Sequence, residues 1–199
     1  MCILKKHSRG WLKTLFLFFS VILVIGLGIL GYRHIVPISV NEHALIKQYD
    51  DLNALEDSSE LIVAVSVAGK GRNEVRKSIE GESKFHFTYT PVKIDKVYKG
   101  DVRQGDTIEI VEPVGYERLP DGLYFIGRSD YTPIRTNSSY LLFLTKVDSG
   151  AYSIRGGSQG KFVWPPPQDP SPEKLEVTEF TGHYQMLFEA VVAKYPGLD

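Results

Sequence analysis

The spacing of apolar positions changes character along this chain, and each change predicts a different element. From Thr14 to Tyr32, 19 residues run without a charge, TLFLFFSVILVIGLGILGY. At about 1.5 Å per residue such a helix spans roughly 28 Å, close to the hydrocarbon thickness of a bilayer. It is apolar on every side, whereas a helix packed on a small domain keeps a polar face. The pattern predicts a transmembrane helix over 14–32, preceded by a basic tail over 1–13.

A helical stretch follows. Ser39-Val40-Asn41-Glu42 fits the capping-box pattern S-x-x-E before HALIKQY, and a second short helical pattern covers Leu52 to Leu55. Residues 33–57 are therefore expected to form a membrane-proximal helical stalk.

Strand patterns then dominate. ELIVAVSVAG is a Val-rich apolar run ending in Gly, a buried strand. Phe85, Phe87 and Tyr89 alternate with His86, Thr88 and Thr90, which gives one aromatic face and places His86 on the exposed one. Pro91 calls for a bulge or an edge position. VKIDKVYKGD, GDTIEIVEP, GLYFIGR, SYLLFLTKV, AYSIR and KFVW complete the set. Many short strands with Gly/Asp turns and little helix between them predict a mainly β fold, a small barrel over 58–164. The polar run from Gly69 to Lys84, with Lys70, Arg72, Arg76, Lys77 and Lys84, reads as a solvated hairpin tip.

The prolines at 165–167, 170 and 172 predict a stiff linker over 165–172. A last helix lies in 173–199. Val177, Phe180, Tyr184, Leu187, Phe188, Val191 and Tyr195 recur at helical spacing, and this stripe is expected to pack back on the barrel.

Charge sets the orientation. Lys5, Lys6, Arg9 and Lys13 precede the apolar run and Arg33 alone closely follows it, so the positive-inside rule puts the N-terminus in the cytoplasm and residues 34–199 outside. The run is long for a signal peptide and no Ala-x-Ala site follows it, which favours an uncleaved anchor. Five of the 23 basic residues and none of the 24 acidic ones lie in residues 1–33, which leaves the remainder net −6 and argues against nucleic-acid binding. The single cysteine, Cys2, precedes the anchor, so the outer part has no disulfide framework, and a bacterial envelope protein is expected.

One stretch offers chemistry. In RGGSQGKF, Gly156 to Gly160 fits the nucleophile elbow G-x-S-x-G and Gly160-Lys161 mimics the end of a phosphate loop. Both motifs need a following helix. Here FVWPPP follows, which favours a strand and forbids a helix. With 18 glycines in 199 residues a chance match is unremarkable. Ser158 is therefore expected to be a turn residue and Lys161 a solvated neighbour of the last strand. The histidines His34, His43, His86 and His183 have no metal-ligand spacing, and the acidic cluster Asp50, Asp51, Glu56, Asp57 and Glu60 lacks the order of a calcium loop. No metal, cofactor or catalytic residue is expected. A partner surface is expected in the segment holding Tyr116, Arg118, Tyr124, Arg128, Tyr131 and Arg135, because Tyr and Arg are enriched in interface hot spots.

VYKGDVRQGDTIEIVEPVG, followed by YTPIRTNSSYLLFLTK and GAYSIRGGSQGKF, resembles OB-fold domains of the netrin/tissue-inhibitor-of-metalloproteinases-like type found in bacterial cell-surface proteins. The shared order is Lys99-Gly100-Asp101, Gly105-Asp106-Thr107-Ile108, Tyr140 to Leu144, and the Gly-rich turn before Phe162. The resemblance covers residues 58–164 and implies a Greek-key barrel of about five strands. Animal inhibitors of this fold use a free N-terminal cysteine and disulfides, which this chain lacks, so no inhibitory mechanism carries over. The expected function is a non-enzymatic, single-pass membrane-anchored domain. It would bind a protein or envelope polymer outside a Gram-positive cell. The alternatives are an envelope hydrolase using Ser158, or a structural subunit docking through the C-terminal helix.

Overall fold

The computed structural model describes residues 8–42, 47–81, 83–128, 131–177 and 182–195, with backbone alone at 8–13, 30, 33–34 and 41–42. The chain divides into two compact units, residues 1–39 with 117–125, and residues 40–116 with 126–199.

In the first unit, helix α1 (Ser8–Ile35) is unbroken over 28 residues. Its described apolar side chains face outward, Phe16 at 78% and Val24 at 68% exposure. Among the described residues no helix is long and apolar enough to cross a membrane. The basic residues Lys5 and Lys6 of the expected tail lie outside the described residues.

Strand β1 (Ile38–Glu42) occupies the place where a helix start was expected. It belongs to a three-stranded sheet of order β1-β7-β6, with β6 (Gly115–Leu119) and β7 (Gly122–Arg128). The S-x-x-E pattern is a local signal, and strand pairing overrides it. Residues 43–46 of the expected helix lie outside the described residues, and 47–49 are not helical. The second pattern holds: α2 (Leu52–Ser58) is capped by Asp51, whose carboxylate accepts from the Ala54 amide at 2.8 Å.

The larger unit contains a closed five-stranded barrel. Strands β2 (Leu61–Val67), β4 (Lys84–Lys99), β5 (Thr107–Glu112), β9 (Tyr152–Ile154) and β8 (Ser139–Lys146) follow one another around the ring, and β8 returns to β2. Every pairing is antiparallel except β5 with β9. Strand β3 (Arg72–Lys77) extends β4 on one side, and β10 (Lys161–Val163) pairs with β8. The polar run at 69–84 is thus a paired strand and its turn.

β4 changes partners midway. It pairs with β3 from Lys84 to Tyr89 and with β2 from Val92 to Lys99. Pro91 sits at the handover. Its carbonyl accepts from the Ala68 amide at 2.9 Å, so the missing Pro N–H would have pointed to the same side, into the gap between the two partners.

The apolar runs of β2 and β8 are explained by burial on both faces. Val63, Val65, Leu142 and Leu144 point into the barrel with Val92, Ile94 and Ile110. Ile62, Ala64, Leu141 and Phe143 point outward, under α2 and the C-terminal helix α4 (Gly182–Lys194). In α4, Tyr184, Leu187, Phe188 and Val191 are buried, as a stripe that packs back requires. Tyr184 stacks on Phe162 at 5.5 Å, and Tyr195 meets Tyr98 edge-on at 4.9 Å. Phe180 lies outside the described residues. Within the expected linker and just beyond it, α3 (Pro172–Leu175) forms a short turn that ends at Glu176 with φ 53°.

Candidate functional site

The parallel strands β5 and β9 pair over two positions, Ile110 with Tyr152 and Val111 with Ser153, and then end. Beyond their ends the chain leaves a cleft of about 250 Å³. Val111, Pro113, Ser153 and Ile154 form its floor, the turn at Gly156 and Gly157 one wall, and Arg128 and Tyr131 the other. Both glycines adopt left-handed backbone, with φ of 62° and 58°. A Cβ on Gly156 would also fall 3.1 Å from Tyr49, so the wall is made of bare backbone.

A second cleft of about 280 Å³ adjoins the first and shares Val111, Pro113 and Ser153 with it. Arg76, Phe87 and Tyr89 line it from the β3–β4 ladder, and Val147, Asp148 and Ser149 from the β8–β9 turn. Together the clefts form one groove. Of the alternating aromatics seen in the sequence, Phe87 and the buried Tyr89 thus border this cleft. Arginines lie over these rings: Arg72 sits 4.5 Å from the Tyr89 ring centre and Arg76 5.5 Å from that of Phe87. Glu74 holds both guanidinium groups, at 2.9 and 2.7 Å, and Arg76 also donates to the Tyr89 hydroxyl at 2.7 Å.

Behind Tyr131 lies a buried polar network. Glu112, 1% exposed, accepts from the Tyr131 hydroxyl at 2.7 Å, the Ile134 amide at 2.8 Å and the Thr90 hydroxyl at 3.0 Å. Lys161, fully buried, donates to the Thr132 carbonyl, and its ammonium stands 5.4 and 5.5 Å from the Tyr131 and Tyr140 rings. On the far side Glu176 accepts from the Tyr140 hydroxyl at 2.5 Å and the Ser138 hydroxyl at 3.1 Å, with Arg135 Nε at 3.9 Å. Burial pushes the Glu112 carboxyl up, against the pull of its donors, and holds Tyr131 well above the usual phenol range. Burial also depresses the Lys161 ammonium to about 8, while Glu112 and Glu176 pull the other way.

The six residues expected on a partner surface do not share one cleft. Arg128 and Tyr131 meet in the first cleft. Tyr131 is only 5% exposed, because Glu112 holds its hydroxyl inward. Arg118 and Tyr124 belong to the other compact unit, where the Tyr124 hydroxyl donates to Asp121 at 2.7 Å. Tyr116 is exposed and its backbone is bound by the Asn73 amide group at 2.7 and 2.8 Å. The Arg135 side chain is 57% exposed beside Glu176, and its amide donates to the Tyr140 hydroxyl at 2.9 Å.

Two expectations are corrected. Lys161 is buried rather than solvated, because segment 131–135 covers it on one side and the Tyr184 hydroxyl reaches its carbonyl at 3.2 Å on the other. His86 is buried at 8% exposure, because the chain at Gly115 packs on it. Leu187 and Val191 are buried on the barrel, as expected of the C-terminal stripe. Ser158 lies in a single 3₁₀ turn, Gly157–Gly160, that runs into β10, and the helix of a nucleophile elbow does not follow. Among the described residues no group of His, Cys, Asp and Glu is placed to hold a metal ion.

Glu112 and Glu176 were not singled out from the sequence, while Arg76, Tyr89 and Lys161 were read as a hairpin-tip residue, a strand aromatic and a solvated neighbour of the last strand. Nothing local marks the two glutamates, because their partners are remote in sequence. Compared with known proteins, the chain matches no family model and no curated protein.

Proposed function

We propose that this protein is a non-enzymatic, membrane-anchored binding domain outside the cell, of OB type, that takes a linear envelope polymer along the groove on β4 and β5. The observation that carries the proposal is the place of the groove in the barrel. Numbered within the ring, the strands run 1-2-3-5-4 with 3 and 5 parallel, the order of OB barrels. Such barrels bind oligonucleotides and oligosaccharides on the face of strands 2 and 3, between the loops joining strands 1 to 2 and 4 to 5. Here those positions are β4, β5, the β3 segment and the β8–β9 turn, and they supply Tyr89, Val111, Arg76 and Asp148 to one groove. The net charge of −6 outside residues 1–33 favours a glycan over a nucleic acid.

The anchor is the segment 14–32. Its support is the uncharged run, the basic residues before it and the outward apolar side chains of α1, since a large exposed apolar surface marks a membrane or a partner. An envelope hydrolase is less well supported, because the turn bearing Ser158 leads into a strand.

Two measurements test the proposal. Protease added to intact cells should digest residues 34–199 and spare 1–13; full protection overturns the orientation. Full-length protein in nanodiscs should co-sediment with purified cell walls, and Arg76→Ala should weaken this several-fold. Co-sedimentation unchanged by both Arg76→Ala and Phe87→Ala overturns the groove.

A further inference from the structure

We infer that the β6–β7 turn, at Pro120 and Asp121, rests in the headgroup layer of the membrane that holds α1. The turn gives the chain a second contact with lipid beside its anchor. The inference rests on the anchor reading above and concerns what lies just outside the span.

The connection between helix and sheet is short and stiff. The uncharged run ends at Tyr32, α1 ends at Ile35 and β1 begins at Ile38. The Val36 amide still donates to the Tyr32 carbonyl at 2.9 Å, so the last helical turn closes at Val36 and Pro37 alone joins helix to strand. Proline has a fixed φ, which leaves this joint little slack. From Tyr32 to Ile35 the helix rises about 4.5 Å, and from Ile35 to Ile38 the chain reaches at most about 11 Å. Ile38 therefore lies within about 15 Å of the hydrocarbon edge, and the headgroups fill roughly 5–8 Å of that.

The hairpin turn belongs with this end of the chain. β1 pairs with β7, whose backbone lies about 4.8 Å away across the ladder. Residues 117–125, the turn and the strand ends that flank it, form one compact unit with residues 1–39. The rest of β7, residues 126–128, does not belong to that unit. The turn end of the hairpin, and not its open end, is thus the part grouped with the anchor.

The residues there suit an interface. Leu119 is 37% exposed and Pro120 is exposed beside it, at a two-residue turn where Asn, Asp and Gly are the usual residues. Pro120 also lacks an amide N–H that would need a partner at that depth. Ile35 and Val36, both exposed, continue the apolar surface beyond the uncharged run. Charge on Glu117, Arg118 and Asp121 keeps the turn out of the hydrocarbon, so headgroup depth is the depth it takes. Lipid is the occupant because α1 places it there in every copy.

The test uses full-length protein with Cys2→Ser in phosphatidylcholine nanodiscs. One cysteine at a time carries a nitroxide: Leu119→Cys, Ile22→Cys within α1, and Gln104→Cys on the exposed turn between β4 and β5. Oxygen, which concentrates in lipid, and a water-soluble nickel chelate are the relaxing agents. The ratio of oxygen to nickel access at 119 should exceed that at 104 at least threefold. In unlabelled protein, a gadolinium chelate on the lipid headgroup should broaden the amide signals of Leu119 and Gly122 more than those of Gln104 and Gly105, which decides the matter should a labelled variant fail to fold. Equal ratios at 119 and 104, or equal broadening, overturn the contact. So does low access to both agents at 119, which would mean that protein covers the turn. If the label at 22 reads lipid while that at 119 reads water, the anchor stands and the contact falls. If 22 also reads water, both fall.

Discussion

The hydroxyl of Tyr140, on β8 inside the barrel, donates to Glu176 Oε2 at 2.5 Å, which fastens the end of α3 to the barrel mouth. A hydrogen bond to a charged group contributes roughly 1.5–3 kcal/mol. Tyr140→Phe should therefore loosen residues 165–177 ahead of the barrel. Hydrogen exchange or limited proteolysis there should speed up at least tenfold, and an unchanged rate would refute the fastening role.

Lys161 is the only basic group among the partners described around Glu112, and removing one member of a buried ionic network leaves the other uncompensated. Lys161→Met should destabilise the fold by about 3–5 kcal/mol in denaturant melts. Adding Glu112→Gln should restore part of the loss, because the two sites couple. Strictly additive losses would show that they act apart.

The same lysine sets a pH dependence. Burial lowers it to about 8 from its ordinary value of 10.5, so between those values the unfolded chain binds the extra proton. Its burial thus costs stability in full below pH 8, and that cost is relieved as pH rises toward 10.5. The raised tyrosines stay protonated in the folded state through pH 10, and their ionisation in the unfolded chain is common to both proteins and cancels in the difference. Wild-type stability minus that of Lys161→Met should therefore climb by about 2 kcal/mol between pH 8 and 10. A flat difference would mean that Lys161 titrates normally.

Helix α4 is held by burial. Leu187 is 1% exposed between the helix and the barrel. Leu187→Ala should cost about 2–5 kcal/mol. At the edge of the same cluster, Asp51→Ala should cost about 1 kcal/mol by uncapping α2. Comparable melting shifts for the two would indicate that α4 contributes little to the fold.

Sequence pattern reached the barrel because its strands carry their burial in their own spacing. β5 alternates, and β2 and β8 read as continuous apolar runs because helices cover their outer faces. The pattern misplaced what depends on distant cover. Lys161 sits beside Phe162 in a three-residue strand and looks solvated until segment 131–135 and Tyr184 close over it. His86 shares the fate of its neighbours for the same reason. At the candidate site, Arg128 and Tyr131 were legible as residue types. The cleft they line was not, because it is formed by the meeting of a parallel strand pair far apart in sequence.

The double burial of β2 and β8 also bears on how the chain folds as it is made. Part of the cover of Ile62, Ala64, Leu141 and Phe143 lies in residues 182–195, synthesised after every barrel strand. Until that stretch has left the ribosome, the nascent barrel carries a partly uncovered apolar wall. Its last folding step must therefore wait for translation of α4, and a chain stalled before it would be a substrate for chaperones.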